Sequence, residues 1–224
     1  MSADKTQLNF SRAPSYLRVS VIISLLGWII AACSSPAAPP ETRTAWLFQA
    51  DFSDDDGLWE TFNDNTASAV IGGEHLSLAV NSPSTVAISL AAINLTDFDL
   101  TVTTTQTDGD LANGYGVIFR YIDERNFYRF DISGDAMWAV SRRLDDQWIP
   151  LSDLASSAAI QPGLATNTIR VLARGSRFVF YANGALLGRL TDSNLPVGRI
   201  GVFASTFDGP STHVNFDDVE IVKP

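Results

Sequence analysis

From residue 46 to the C-terminus, apolar side chains recur at period two nearly everywhere, and no stretch of convincing length shows the three-to-four spacing of an amphipathic helix. This alternation predicts strands at 46–52 (WLFQADF), 69–71, 76–80, 86–90 and 98–106 (FDLTVTTTQ). It predicts others at 136–143, 147–151, 167–173, 176–181, 185–190, 199–204 and 213–222. Asn183-Gly184 is a strong two-residue hairpin signal, and Gly72-Gly73 and Arg174-Gly175 mark further turns. Segment 154–162, rich in alanine and serine, is expected as a longer connection with room for one helical turn. About a dozen strands with short turns predict an all-β, two-sheet antiparallel jelly-roll sandwich.

The stretch 113–138 (NGYGVIFRYIDERNFYRFDISGDAMW) organises the rest. With 123–126 as a four-residue turn, Tyr121 falls opposite Tyr128, Arg120 opposite Arg129 and Phe119 opposite Phe130. One face then carries Tyr115, Val117, Phe119, Tyr121, Tyr128, Phe130 and Ile132, and belongs to the core. The other carries Ile118, Arg120, Ile122, Phe127, Arg129 and Asp131. A tight two-residue turn at Gly134-Asp135 puts Trp138 opposite Asp131, on that second face. The same register sends Arg143 and Trp148 to the core side, an unfavourable placement that points to a bulge or a one-residue slip. Arg120, Arg129, Asp131 and Trp138 are thus the candidate ligand-binding residues. Guanidinium groups offer planar donors for hydroxyls or a carboxylate, and a tryptophan offers a stacking surface. Such clusters are more often structural or solvated than functional, yet this is the strongest functional signal in the chain.

The N-terminus has a different pattern. Lys5, Arg12 and Arg18 precede an apolar run at 21–30 (VIISLLGWII), too short to span a bilayer, which needs about 20 residues, but of signal-peptide length. Ile30-Ala31-Ala32-Cys33 follows and resembles the bacterial lipobox, which implies cleavage before Cys33 and acylation of that residue. Residues 1–32 are therefore expected to be a lipoprotein signal peptide. Residues 33–44 are expected to be the lipidated cysteine and a proline-rich tether, and 45–224 one folded domain. The expected location is the outer side of a bacterial membrane, anchored only through the lipid at Cys33.

Composition removes several function classes. The whole chain carries 15 basic and 25 acidic residues. Without Lys5, Arg12, Arg18 and Asp4, the mature chain keeps 12 basic and 24 acidic residues, a net charge of −12. That balance argues against nucleic acid and against a basic membrane-binding face. Cys33 is the only cysteine, so no internal disulfide forms. His75 and His213 are the only histidines, which excludes a His/Cys metal site and leaves a Ser-His-Asp triad unsupported. Asp108 with Asp110, or Asp123 with Asp131, could hold a structural calcium, but they read more readily as solvated carboxylates, and no cofactor is expected. A monomer is expected.

The succession FDLTVTT, GYGVIFRY, NFYRFDI, NTIRVLARGSRFVFYANGALLGRL, VGRIGVFA and VNFDDVEI resembles the concanavalin A-like lectin/glucanase superfamily. The likeness is closest to its laminin-G-like and 3-keto-disaccharide-hydrolase-like branches and covers roughly 45–222. It implies a curved sandwich whose concave sheet binds carbohydrate in many relatives. No catalytic site carries over, because the Glu-x-Asp-x-x-Glu strand of the glucanases is missing. The sequence therefore points to a non-catalytic glycan- or ligand-binding module. A glycoside hydrolase of the keto-disaccharide type and a purely structural or protein-interaction domain are the alternatives.

Overall fold

The computed structural model describes residues 45–209 and 211–224. The expected signal peptide, Cys33 and tether lie outside the described residues. Among the described residues, sixteen strands follow in chain order: β1 (Trp46–Ala50), β2 (Phe62–Asn63), β3 (Ala67–Ile71), β4 (Leu76–Val80), β5 (Val86–Leu95), β6 (Phe98–Gly109), β7 (Gly114–Asp123) and β8 (Asn126–Ser133). The second half comprises β9 (Met137–Leu144), β10 (Gln147–Pro150), β11 (Ala155–Ser156), β12 (Thr166–Arg174), β13 (Arg177–Ala182), β14 (Ala185–Thr191), β15 (Gly198–Ser205) and β16 (Thr212–Val222).

They form two antiparallel sheets. The nine-stranded sheet runs β14-β13-β12-β6-β16-β4-β3-β2, with β1 also paired to β16. β16 is long enough to hold β4 along residues 212–216 and β1 along 219–222. The seven-stranded sheet runs β10-β9-β8-β7-β15-β5, with β11 beside β10 on the free edge of β9. The two sheets make the jelly-roll sandwich that the alternation predicts. The segment after β10 is the longer connection expected there, built from β11 and turns with no helical turn in it.

Period-two patterning explains the core. In β6, Phe98, Leu100 and Val102 point inward and are fully buried, while Thr101, Thr103 and Thr105 stand half-buried on the other face. Phe119 of β7 sits at the centre, stacked on Tyr128 at 5.1 Å and edge-on to Phe178 at 5.3 Å and Phe98 at 6.0 Å. Each such pair contributes about 0.5–1.5 kcal/mol beyond area burial. Turn chemistry also holds: Asn183 and Gly184 both have positive φ in a two-residue turn between Ala182 and Ala185. Among the described residues, the strands, core and closing turns make one compact unit with its own hydrophobic core, as an independently folding segment requires.

A buried polar cluster bridges the sheets. Asp192 accepts from the Tyr128 hydroxyl at 2.5 Å, from Asn194 N and Nδ2 at 2.9 Å each, and from Arg142. Burial alone would raise the Asp192 carboxyl, but these donors hold it below its ordinary value of 3.8. Tyr128 is pushed up to about 12, first by burial and then by its bond to Asp192. Since the unfolded tyrosine titrates near 10, its contribution to stability is complete below pH 10 and is lost as pH rises toward 12. Asp192 acts at the other end: its contribution is complete above 3.8 and is lost as pH falls through the lower folded value. Chemical denaturation of Tyr128→Phe between pH 10 and 12 should show a shallower loss of stability than wild type. Tyr115, also pushed up to about 12 by burial, and Tyr121, pushed up by burial as well, supply the remainder. An identical slope in the variant would contradict this assignment.

Candidate functional site: a groove on the outer face of the seven-stranded sheet

Two backbone features decide which side chains reach the outer face of the seven-stranded sheet. The first is a bulge in β7. Asp123 pairs with Asn126, but Phe119 pairs with Tyr128 and Ile118 with Arg129, a register shift of two residues. Arg120 takes up the shift with φ of 51°, a left-handed conformation that bulky residues rarely adopt. The second is the β8–β9 turn. Ala136 has φ of 64°, and its N–H donates to Ser133 O at 3.0 Å, so the loop has three residues rather than two. Ile132 therefore pairs with Trp138, and Asp131 with Ala139.

These features change the placement of two of the four candidate residues. Arg120 does not face Arg129. It turns into the sandwich, 1% exposed, where its guanidinium lies 4.8 Å from the Phe178 ring centre. It donates to the carbonyls of Leu195 at 3.0 Å, Thr96 at 2.8 Å and Gly175 at 2.6 Å, pinning three connections to β7. The same bulge moves Tyr121 from the expected core face to the outer face, stacked 5.7 Å from Phe127. Trp138 lies opposite Ile132 instead of Asp131; it still contributes to the lining of the groove that holds Arg129 and Asp131, but its ring packs against the core. Its ring lies so close to Gly188 of β14 that a Cβ there would come within 2.7 Å. The slip indicated by the awkward placement of Arg143 and Trp148 is real: both lie on the outer face, and Arg142 lies inside with Asp192.

Arg129 and Asp131, two residues apart on β8, do share the outer face. Arg129 Nε donates to Asp131 Oδ1 at 2.6 Å, and its Nη2 donates to Ser205 Oγ at 2.9 Å. Ser205 Oγ in turn donates to Gly114 O at 3.0 Å. The three polar groups converge over Gly114, where a Cβ would lie 3.1 Å from both Arg129 Nη2 and Asp131 Oδ1. Glycine is thus what leaves room above the pair. Below, the guanidinium covers Phe203 at 4.1 Å, and Phe203, Ile118 and Phe127 form a small buried cluster. Burial pushes the Asp131 carboxyl up, and the Arg129 charge opposes that rise.

The pair forms part of the floor of an open groove of about 790 Å³. On one side Trp148 of β10 is half exposed, held edge-on to Phe127 at 5.6 Å and flanked by the guanidinium groups of Arg129 and Arg143. On the other side stands Phe207, also largely exposed. Its backbone is fixed by Asn113 Oδ1 accepting from its N–H at 3.2 Å and by Ser84 N donating to its carbonyl at 2.7 Å. From β10 to β15 is four strand spacings, about 19 Å. The groove therefore presents aromatic flanks and a central donor–acceptor pair.

Trp148, Ser205, Gly114 and Phe207 were not identified from sequence. The conflict over Trp148 was legible as a misplaced strand residue; Phe207 sits in a loop with no periodicity to place it. Among the described residues, no three His, Cys, Asp or Glu side chains gather as a metal site would require. Asp123 instead caps its own turn, accepting from Arg125 N at 2.8 Å and Asn126 Nδ2 at 2.9 Å.

No family profile matches the sequence, and no curated protein sequence does. Solved structures do resemble the fold. The carbohydrate-binding module CBM66 from Bacillus subtilis is 19% identical, with 74% of this chain and 96% of the module covered and a TM-score of 0.59. A protein of unknown function with a galectin-like fold, also from Bacillus subtilis, is 9% identical, with 80% of this chain and 96% of that chain covered and a TM-score of 0.63. The catalytic domain of an endo-1,3-β-glucanase (laminarinase) from Thermotoga petrophila is 8% identical, with 80% of this chain and 98% of that chain covered and a TM-score of 0.56. At these identities the likeness establishes the galectin-like, jelly-roll sandwich architecture.

Proposed function

We propose that the protein is a bacterial lipoprotein, anchored at Cys33, whose sandwich domain binds carbohydrate without cleaving it, in the groove over Arg129 and Asp131. The observation that carries this is the pairing of a rigid donor–acceptor unit with exposed aromatic flanks in one open groove. Sugar hydroxyls both donate and accept, and a guanidinium–carboxylate pair supplies both functions at fixed positions. Trp148 and Phe207 offer apolar ring faces to the C–H surfaces of a pyranose. The shared fold with a carbohydrate-binding module and with glycan-cleaving enzymes supports a glycan as ligand.

Binding is favoured over hydrolysis because Asp131 is held by Arg129 and the glucanase carboxylate strand is missing. A glycan array probed with wild type and with Arg129→Ala tests the proposal. A defined set of glycans bound by wild type alone is expected. No binding by wild type, or equal binding by both proteins, would overturn it, and release of reducing sugar or keto-sugar would overturn the non-catalytic assignment.

The anchor is tested separately. The intact mass of the membrane-extracted protein is expected to correspond to a chain beginning at an acylated Cys33. An unmodified N-terminus, or one beginning at Met1, would exclude the lipoprotein assignment.

A further inference from the structure

The net negative charge conceals one basic surface. Ten arginines fall among the described residues, and six of them lie within 4 Å of a carboxylate. Of the four that do not, Arg125 is in the β7–β8 turn. The other three, Arg174, Arg177 and Arg189, are exposed and line one groove of about 610 Å³ on β12, β13 and β14. Arg174 and Arg177 are direct cross-strand partners, a like-charge pairing that is unfavourable in the free protein. Leu172 and Val179 lie beside them as an apolar floor. The nearby acids are engaged: both Asp99 oxygens accept from Arg170 at 2.6 Å, and Asp97 accepts from Gly175 N at 2.8 Å.

Strand register connects this patch to the point where the described chain begins. Arg189, Val179, Leu172, Asp99, Val222 and Trp46 are successive cross-strand partners, and so lie in one row on one face of the nine-stranded sheet. Trp46 is half exposed, and the row from β14 to β1 spans five strand spacings, about 24 Å. Residues 33–44, with prolines at 36, 39 and 40, reach about 37 Å from Cys33 when extended. A domain tethered there keeps this sheet end within reach of the bilayer.

We propose that this end of the nine-stranded sheet lies against an anionic phospholipid surface, with Arg174, Arg177 and Arg189 on headgroup phosphates and Trp46 at the interface. The tether step rests on the lipid-anchor reading; the charge step does not. Arginine pairs with phosphate through its planar donor fork, and tryptophan is favoured where hydrocarbon meets water. Net charge predicts repulsion from such a surface, and the segregation of the three arginines onto one face is what reverses it locally. The lipid at Cys33 would then act with a second, electrostatic contact that orients the domain and leaves the Arg129 groove, on the opposite sheet, facing away.

The test uses residues 45–224, which contain no Cys33, so lipidation does not enter. Co-sedimentation is measured with vesicles of phosphatidylcholine alone and with a one-third share of phosphatidylglycerol. Sedimentation with the anionic vesicles only, reversed by added salt, is expected. The triple variant Arg174→Gln/Arg177→Gln/Arg189→Gln should partition on the order of 100-fold less, with a wild-type circular dichroism spectrum. Trp46→Ala should partition several-fold less, and Arg125→Gln, elsewhere on the surface, should match wild type. Equal sedimentation with both vesicle types, sedimentation with neither, or an unaffected triple variant would overturn the proposal. Binding to a soluble polyuronate without vesicle sedimentation would also overturn it and assign the arginines to an acidic glycan. The glycan array and this assay read opposite sheets, so either can fail alone.

Discussion

Replacing Arg120 with methionine is expected to lower the stability of the domain by roughly 3–5 kcal/mol, among the largest effects of any single substitution. The aliphatic stem remains, but the carbonyls of Leu195, Thr96 and Gly175 lose their common donor in a site that is 1% exposed. Those carbonyls belong to the β14–β15, β5–β6 and β12–β13 connections, so both sheets are loosened at once. For a domain of this size the melting temperature should fall by about 10 °C. Arg120→Lys should recover less than half of that, because one ammonium cannot reach three carbonyls in the geometry of a guanidinium fork. A melting temperature within 2–3 °C of wild type for the methionine variant, roughly the shift of 1 kcal/mol, would show that Arg120 is dispensable.

Arg129→Ala is expected to weaken glycan binding by more than about 100-fold and to cost roughly 2–4 kcal/mol of stability. The two losses have different origins. Binding fails because the donor half of the floor pair is gone. Stability falls because Asp131, whose carboxyl burial already pushes up, keeps no counter-charge, and Phe203 loses its cover. The double variant Arg129→Ala/Asp131→Ala should therefore regain most of the stability and none of the binding. If single and double variants melt together, the ion pair is not what holds this part of the sheet.

Both positions show what period-two patterning could and could not deliver. Alternation placed Tyr115, Val117 and Phe119, with Tyr128, Phe130 and Ile132, on the core face, and all six are buried there. It did so although the assumed pairing was wrong, because the register shift in β7 is two residues and preserves which face a side chain takes. At Arg120 itself the left-handed bulge inverts the alternation, and nothing in FRYID shows that a bulky arginine will accept a positive φ. The β8–β9 turn differs from the expected one by a single residue, and an odd shift exchanges faces. The ring of Trp138 therefore turns to the core, while Trp148 and Arg143 come out to the outer face. Arg129 and Asp131 kept their face because they precede that turn. The groove walls come from Trp148 and Phe207, which only the folded chain brings to either side of β8.

Glycan in the groove between these two aromatic residues would stack on Trp148, which calorimetric titration of Trp148→Ala with the strongest ligand from the array measures at the flank itself. Trp148 is about half exposed, so its loss should leave the melting temperature close to that of wild type. The dissociation constant should rise by about 30-fold or more, as for a stacking anchor. An unchanged dissociation constant in a stably folded variant would contradict it, and would place the ligand somewhere other than over Arg129 and Asp131.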